Sequence, residues 1–391
     1  MENKLLNFNY ELHIPSQNEY VLNYQDKYFK IETLLYKILL LGQTSKNINE
    51  IYQNLNAPEI SLDDLNNVIN KKIIPVFEQK KEEKLQNQQS NYWLKFELLN
   101  AYWTTKISKP FATIYGRLFY LVFGILLSAN IAGIYQLNIF SKGISLMDVE
   151  YMPIYYIGLM MIIFLHEIGH AAASIKTGIF PRGIGLGFYT IMPVMYTDLT
   201  DAWRVGKKEK IKINLGGLYI QMILNSGLFL LAHFTDSDSF ANVVAYNLMF
   251  TNTVIMLLNL IPFLKFDGYW ILSDLLSIPD LMEKSNKTVK EIFVKADPFA
   301  ERKKEKFNFK KLFIISYTIL RAVYIILMVV GIFGFIFLSL SKTIKFIINI
   351  PYMELSGATA MDALSRLVSI IVIYLFTKNY RKSFVKYFKK K

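Results

Sequence analysis

The chain of 391 residues contains no cysteine. This absence excludes a disulfide framework and every metal site that is built on thiolates. A metal ion would therefore have to bind histidine and carboxylate side chains. Histidine is itself scarce, since the chain has only four. The first residues are polar and lack an apolar core of signal-peptide length.

Apolar residues, in contrast, are abundant and unevenly distributed. They make up 53% of the chain, and aromatic residues alone make up 15%. They gather in stretches long enough to cross a bilayer, and lysine-rich loops separate these stretches. This pattern is typical of a multi-pass membrane protein that is mainly α-helical. About six transmembrane helices are predicted, at residues 113–136, 151–175, 211–233, 240–263, 312–340 and 358–377.

The net charge of +13 is concentrated in alternate loops. Loops 176–210 and 264–311 and the tail 378–391 are rich in lysine and arginine, whereas loops 137–150 and 234–239 contain few. Because basic residues collect in cytoplasmic loops, this bias predicts that both termini lie in the cytoplasm and that the protein spans the cell membrane. Topology thus accounts for the positive charge, and nucleic acid is not expected as a partner.

Two of the four histidines lie in the second predicted span, in the order His166-Glu167-Ile168-Gly169-His170. Residues four positions apart share a helix face, so His166 and His170 can hold one metal ion with Glu167 beside it. The pattern HExxH is the signature of zinc peptidases, in which the glutamate is the general base. Ionisable groups are costly in so apolar a segment, which disfavours a chance match on a surface helix.

Two histidines do not complete such a site, because a catalytic zinc ion usually has three protein ligands. The remaining histidines, His13 and His233, are expected to lie far from the motif. A carboxylate is the better candidate. Pro262 should open the end of the fourth span, and Asp267 follows it at the depth expected for His170.

Two motifs then stand in order along the chain, His166-Glu167-x-x-His170 and Asn259-x-x-Pro262-x-x-x-x-Asp267-Gly268. Together they resemble the site-2 protease family of intramembrane zinc metallopeptidases over roughly residues 110–275. The resemblance implies that His166, His170 and Asp267 bind one zinc ion per chain. It also implies that Glu167 is the catalytic base, and that Asn259 helps to hold the substrate or the tetrahedral intermediate.

The chain differs from the family's usual pattern at several positions, and these differences affect the assignment to a subgroup more than the expected chemistry. The family often has a second proline and a leucine before Asp-Gly, where this chain has Leu264 and Phe266, and no proline follows Gly216-Gly217. The pair Tyr269-Trp270 is similar to the branch called putative peptide zinc metalloproteases. The expected fold is thus a helical membrane protein with a zinc-site core.

The N-terminal residues 1–78 predict a small α+β domain that is winged-helix-like. Short strands are expected near Tyr20 and in Lys27–Ile31, followed by three helices, the second capped by Ser45 and the third by Ser61. This order is similar to the PqqD-like domain, the RiPP recognition element, which implies that residues 18–75 bind the leader of a precursor peptide. A DNA-binding role is disfavoured because the helices have no basic face.

The rest of the chain divides into residues 79–110, a linker and interfacial segment, residues 111–377, the transmembrane metallopeptidase domain, and residues 378–391, a basic cytoplasmic tail. Residues 183–198 alternate apolar and small residues and predict a β-hairpin beside the site. This hairpin could pair with an extended peptide or be a structural loop, and the two interpretations are about equal. Asp198 and Asp201 could support the site, although solvated loop carboxylates are favoured.

Three functions are compatible with these features. The first is an intramembrane zinc endopeptidase that removes the leader of a ribosomally made precursor peptide, coupled to a peptide-modifying enzyme or a transporter. The second is regulated cleavage of a membrane-bound regulator such as an anti-sigma factor, which the absence of an evident PDZ domain disfavours. The third is a non-catalytic part of a peptide export system, which the four intact site residues disfavour. Membrane lipid is an expected partner in each case.

Overall fold

The computed structural model describes residues 3–78 except positions 18, 26 and 58, then residues 92–139, 151–189, 192–294 and 309–349, and five single positions beyond them. The polar linker 79–91, the basic tail and most of the sixth predicted span lie outside this part of the chain. The described residues are mostly helical, with a small sheet in the N-terminal unit and a second sheet near the membrane helices.

The N-terminal unit begins with a three-stranded antiparallel sheet of β1 (Glu11–Ser16), β2 (Glu19–Tyr24) and β3 (Lys27–Ile31). Strands β2 and β3 are the two predicted strands, and Gln25 takes a left-handed conformation at their turn, with φ 51°. Strand β1 was not predicted. It contains Pro15, which weakens the strand pattern but is tolerated because β1 lies at an edge of the sheet.

Four helices follow, α1 (Thr33–Gly42), α2 (Ile48–Leu55), α3 (Leu62–Asn67) and α4 (Ile74–Glu78). The predicted capping box at α3 is confirmed, since the Ser61 side chain accepts from the Asp64 backbone and Asp64 reciprocates. The predicted cap of α2 was wrong. Asn47, rather than Ser45, accepts a hydrogen bond from the backbone of Glu50, because α2 begins two residues later than the sequence pattern suggested.

The larger part of the chain forms β4 (Tyr92–Asn100), α5 (Ala101–Ser108), α6 (Phe119–Gln136), α7 (Met152–Lys176), β5 (Gly183–Tyr189), β6 (Met192–Asp198), α8 (Lys207–Phe234), α9 (Phe240–Asn259), α10 (Asp267–Leu276), α11 (Leu281–Val294) and α12 (Phe309–Asn349). Within the described ranges, five helices are long and apolar enough to cross a membrane, namely α6, α7, α8, α9 and α12. These correspond to the first five predicted spans.

Helices α7 and α8 pack closely through glycine. A Cβ atom at Gly169 would lie 2.5 Å from the carbonyl oxygen of Gly216, and one at Gly216 would lie 2.6 Å from that of Gly169. Small residues allow helix backbones to approach in this way within membranes. The hydroxyl of Tyr115 donates a hydrogen bond to Gly216 O (2.9 Å) and covers the crossing point.

The second sheet has the order β4-β5-β6 and is antiparallel throughout. The predicted hairpin of residues 183–198 is present as β5 and β6. Its partner β4 was not predicted, because the aromatic and charged residues after Trp93 suggested an interfacial segment instead. Two register shifts between β4 and β5 break the simple alternation that identifies a strand from sequence.

Candidate metal centre and active site

The structure brings the three predicted ligands together. His166 and His170 lie one turn apart on α7, and Asp267 is the first residue of α10. The two Nε2 atoms are 3.0 Å apart, and each lies 3.3 Å from Asp267 Oδ2. Each of the three residues can offer one ligand atom, and these three atoms lie within 4.8 Å of one another. His13, in β1, is not part of the trio, and neither is His233, near the end of α8.

A break in the chain after α9 positions Asp267. Helix α9 ends at Asn259, Pro262 follows, and the chain then turns back into α10. A Cβ atom at Gly268 would collide with the carbonyl oxygen of Leu260, so the turn requires glycine at this position. The carboxylate of Asp267 also stands at the N-terminal end of α10, where the helix dipole stabilises a negative charge.

The arrangement fits a tetrahedral cation such as zinc. Ligand atoms that each lie about 2 Å from such an ion are about 3.4 Å from one another. The carbonyl of Ile213 can only accept, so the His170 Nδ1–H donates to it (2.8 Å) and Nε2 presents its lone pair to the trio. Asp267 Oδ2 is buried and, within the described residues, accepts no hydrogen bond. A cation between the buried lone pair and the buried carboxylate oxygen would satisfy both groups.

Gly217 on α8 makes room for the two imidazole rings. A Cβ atom at this position would lie 2.6 Å from His166 Nδ1 and 2.6 Å from His170 Nε2. The closeness of the glycine pair at 216–217 to the candidate metal ligands is not predicted by the sequence. The reason is that the contact joins residues on different helices, which local spacing does not reveal.

Glu167, the predicted general base, lines the same cavity as the three candidate ligands. Glu167 is only 7% exposed, and it is the residue directly after His166 on α7. The hydroxyl of Thr197 on β6 lies 2.7 Å from Glu167 Oε2, so the hairpin supports the carboxylate directly. Thr197 was not identified from the sequence. The alternation of β6 predicted a strand near the site but could not say which of its side chains faces the glutamate.

A second unpredicted contact is made by Gln221 on α8, whose Oε1 lies 2.9 Å from His166 Nδ1. Gln221 in turn contacts Asn252 on α9 (2.8 Å). Both side chains are fully buried between the helices. Asn252 thus forms a polar contact between α9 and α8, and Gln221 links it to His166.

One cavity of about 610 Å³ surrounds these groups. The predicted site residue Asn259 lines it at the end of α9, and α10 contributes Trp270 and Asp274. The N-terminal sheet also lines this cavity. Its contributing residues are Pro15, Glu19, Val21 and Lys30, and the hairpin supplies Val194, Met195, Tyr196 and Thr197.

Asp201 joins the N-terminal sheet to the membrane part of the chain. Its Oδ1 accepts hydrogen bonds from the Tyr28 hydroxyl on β3 (2.6 Å) and from Arg182 (2.9 Å). Burial opposes ionisation of Asp201, but the hydrogen bonds from Arg182 and Tyr28 outweigh it and hold the pKa of the carboxyl below its usual value. Arg204 donates to the Tyr28 hydroxyl (2.8 Å). Asp201 is therefore an anchor between two parts of the chain, and Asp198 instead accepts from Thr200.

The cavity wall contains one carboxyl group that burial perturbs strongly. Desolvation raises the pKa of Asp274 to about 6, although the charges of Lys210 and Lys207 act in the opposite direction. Asn214 donates a long hydrogen bond of 3.4 Å to this carboxyl.

The fold and the three converging ligands define a membrane protein with a candidate metal centre. Comparison with curated proteins finds a relative in Bacillus subtilis (strain 168) with the name "Putative peptide zinc metalloprotease protein YydH". The two sequences are 38% identical over 129 residues, which is 32% of this chain and 48% of the relative. The chain thus matches about half the length of this relative. No protein-family model and no solved structure matches the chain.

Proposed function

We propose that this protein is an intramembrane zinc endopeptidase of the site-2 protease type that removes the leader from a ribosomally made precursor peptide. The observation that carries the proposal is the shared cavity. Residues of a zinc-binding motif and residues of a separate N-terminal sheet line the same space, as expected of a peptidase that recognises one part of a peptide while cleaving another. The partial similarity to a protein with a peptide zinc metalloprotease name supports the same class of reaction.

A small number of residues would carry out peptide hydrolysis, each with its own role. His166, His170 and Asp267 would hold the zinc ion, which when bound supplies a Lewis acid that activates water and polarises a peptide carbonyl. Glu167 accepts the proton of the attacking water and delivers it to the leaving amine. The amide of Asn259 lines the cavity and would donate a hydrogen bond to the peptide. The apolar helices around the cavity limit access of bulk water.

The hairpin offers a means of holding an extended peptide. In the described sheet β6 pairs only with β5, so its other edge is available to a further strand. Thr197 on β6 contacts Glu167, so a peptide that adds to this edge passes beside the base. Backbone pairing would hold the scissile bond extended, and the neighbouring apolar side chains would select its flanking residues.

The N-terminal unit would recognise the leader. The proposal rests on the predicted likeness to a PqqD-like domain, and residues 18–75, the proposed leader-binding part, include both β3 and α3. Anchoring through Tyr28 and Asp201 would keep a bound leader close to the cavity. We place the protein in the cell membrane with both termini in the cytoplasm, where precursor peptides and their modifying enzymes occur, and a transporter could take up the product.

The experiment compares cells that produce the wild-type chain or Glu167→Gln. Mass spectrometry of small peptides should reveal a precursor that keeps its leader only in the variant. Glu209→Gln on α8 is the control, because this carboxylate does not line the cavity. Identical peptide profiles in the wild type and in Glu167→Gln, with equal amounts of protein, would exclude the peptidase. Accumulation of an uncut membrane regulator would instead favour the second candidate, regulated intramembrane proteolysis.

A further inference from the structure

A chain of buried amides leads from the metal centre to the backbone of α9. It runs from His166 Nδ1 to Gln221 (2.9 Å), from Gln221 to Asn252 (2.8 Å), from Asn252 to Asn225 (2.7 Å), from Asn225 to Thr253 (3.0 Å) and from Thr253 to Met249 O (2.8 Å). Gln221, Asn225, Asn252 and Thr253 are all at most 3% exposed. We propose that this chain selects the imidazole tautomer of His166 that can bind a metal ion.

The direction of the chain follows from its far end. The backbone carbonyl of Met249 can only accept, so the Thr253 hydroxyl must donate to it. The Thr253 oxygen then accepts from the amide nitrogen of Asn225. This orientation turns the carbonyl oxygen of Asn225 towards Asn252, which therefore donates to it.

A second contact fixes the same orientation independently. The amide nitrogen of Asn252 also donates to the backbone carbonyl of Gln221 (3.1 Å), another group that can only accept. The side-chain oxygen of Asn252 consequently faces Gln221 and accepts from its amide nitrogen. Gln221 is then left with its oxygen towards His166, and the only compatible partner is a protonated Nδ1.

The result at the metal centre is a single tautomer of His166. With the proton on Nδ1, the neutral ring directs the lone pair of Nε2 towards His170 Nε2 and Asp267 Oδ2. If Gln221 were reversed, its N–H groups would face Nδ1, and the proton of the ring would move to Nε2, the atom that should bind the metal. Reversal would also place two amide oxygens 2.8 Å apart between Gln221 and Asn252, where no water can separate them.

His170 achieves the same result with one backbone carbonyl, that of Ile213. Among the described residues no backbone carbonyl contacts His166 Nδ1, and Gln221, one turn beyond Gly217 on the same face of α8, contacts it instead. A glutamine can point either way, so it needs Asn252 to orient it. Gln221 and Asn252 are thus positioning residues, and the inference rests on the metal site of the proposed function.

The test measures zinc affinity of the detergent-purified full chain by competition with a chromophoric chelator. Asn252→Leu leaves His166 and its contact in place but no longer orients Gln221, and it should weaken zinc binding by about tenfold. Gln221→Glu offers His166 an acceptor that needs no orientation. The double variant Gln221→Glu/Asn252→Leu should therefore regain an affinity close to that of the wild type.

The matched control is Asn130→Leu. Asn130 is another buried amide that donates to α8, at Met222 O, but it does not belong to the chain of amides. Its replacement should leave zinc affinity unchanged. A double variant as weak as Asn252→Leu would overturn the inference, as would an unaffected Asn252→Leu or an equal loss in Asn130→Leu, because Asn252 would then have only a packing role.

If Asn252→Leu cannot be purified as a monodisperse protein, a comparison of Gln221→Leu with Gln221→Glu tests the inference instead. The first removes the acceptor and should weaken zinc binding, whereas the second should retain it, and equal affinities would overturn the inference. A wild-type chain that takes up no zinc would refute the proposed function itself. Wild-type zinc binding with insensitive variants would refute only the role of the amides.

Discussion

The hydroxyl of Thr197 lies 2.7 Å from Oε2 of Glu167 and 3.0 Å from the backbone oxygen of the same residue. A strand and a membrane helix thus meet at the carboxyl group of the proposed general base. Because one hydroxyl has one proton, the shorter contact, to Oε2, receives it. The hairpin therefore helps to set the position of the base as well as the shape of the cavity.

Replacement of Thr197 by valine should lower kcat about tenfold, because it removes the hydrogen bond that positions the carboxyl group of Glu167. Thr197→Ser keeps the hydroxyl and should restore most of the rate. The rates are measured on the precursor peptide identified in cells, with zinc content determined in parallel. A loss of zinc in Thr197→Val, or a failure of serine to rescue the rate, would contradict a role in positioning Glu167.

Metal content distinguishes the ligands from the base. The wild-type chain should contain about one zinc ion, and His170→Ala and Asp267→Ala should lose it, because a catalytic site needs all three protein ligands. Glu167→Gln should keep the metal but lose activity. Elemental analysis of the detergent-purified proteins provides the measurement. Zinc retained in Asp267→Ala would show that the third ligand is another residue.

Gly217→Ala should weaken zinc binding by at least about tenfold, since the added methyl group would enter the space of both imidazole rings. The same helix provides a control in Gly227→Ala, because a Cβ atom at Gly227 meets no atom within 4 Å. Chelator competition measures both variants. Equal affinities of the two would mean that the rings can move aside and that their position is not tightly defined by α8.

Asp201→Ala should loosen the N-terminal sheet, because it removes the partner of both Tyr28 and Arg182. We expect a KM several-fold higher for a substrate with its leader and little change for one without it. Glu32→Gln, at an exposed position before α1, is the control. Equal effects on both substrates would indicate that the anchor supports the catalytic site itself instead of the leader-binding unit.

Asp274 should make stability depend on pH. Its folded pKa of about 6 lies above the ordinary value of 3.8, so the folded state holds the proton more tightly than the unfolded state. The contribution of this group is thus fully present below about pH 4 and is lost as the pH rises through 6. Asp274→Asn should therefore melt at a higher temperature than the wild type at pH 7, with the difference vanishing near pH 4. A constant difference would contradict the assignment.

The close approach of His166, His170 and Asp267 could be predicted from sequence because its signals are local, and their role as metal ligands remains a prediction. His166 and His170 share one helix turn, and Pro262 and Gly268 mark a break and a reversal before Asp267. The five described spans followed from composition for the same reason. The domain functions and the choice of substrate remain predictions, as does the location of both termini in the cytoplasm.

The groups that orient the site could not be predicted in this way. Gln221, Asn252 and Thr197 act across pairs of elements, and their roles depend on how α7, α8, α9 and β6 pack. The contact between Tyr28 and Asp201 joins residues 173 positions apart, so no local period could indicate it. The cap of α2 was missed on a smaller scale, because several polar residues compete near its first turn.

The glycine contact between α7 and α8 has a mechanical consequence. The backbones of α7 and α8 meet at Gly169 and Gly216 with no side chain between them, so we expect these two helices to move together, and α7 carries both histidines. Asp267 begins a separate helix beyond the break at Pro262, and that helix contacts α8 through Asp274 and Asn214. A displacement of α10 that widened the cavity for an incoming peptide would therefore pull the third ligand from the other two, and substrate entry and metal coordination would be tied to the same motion.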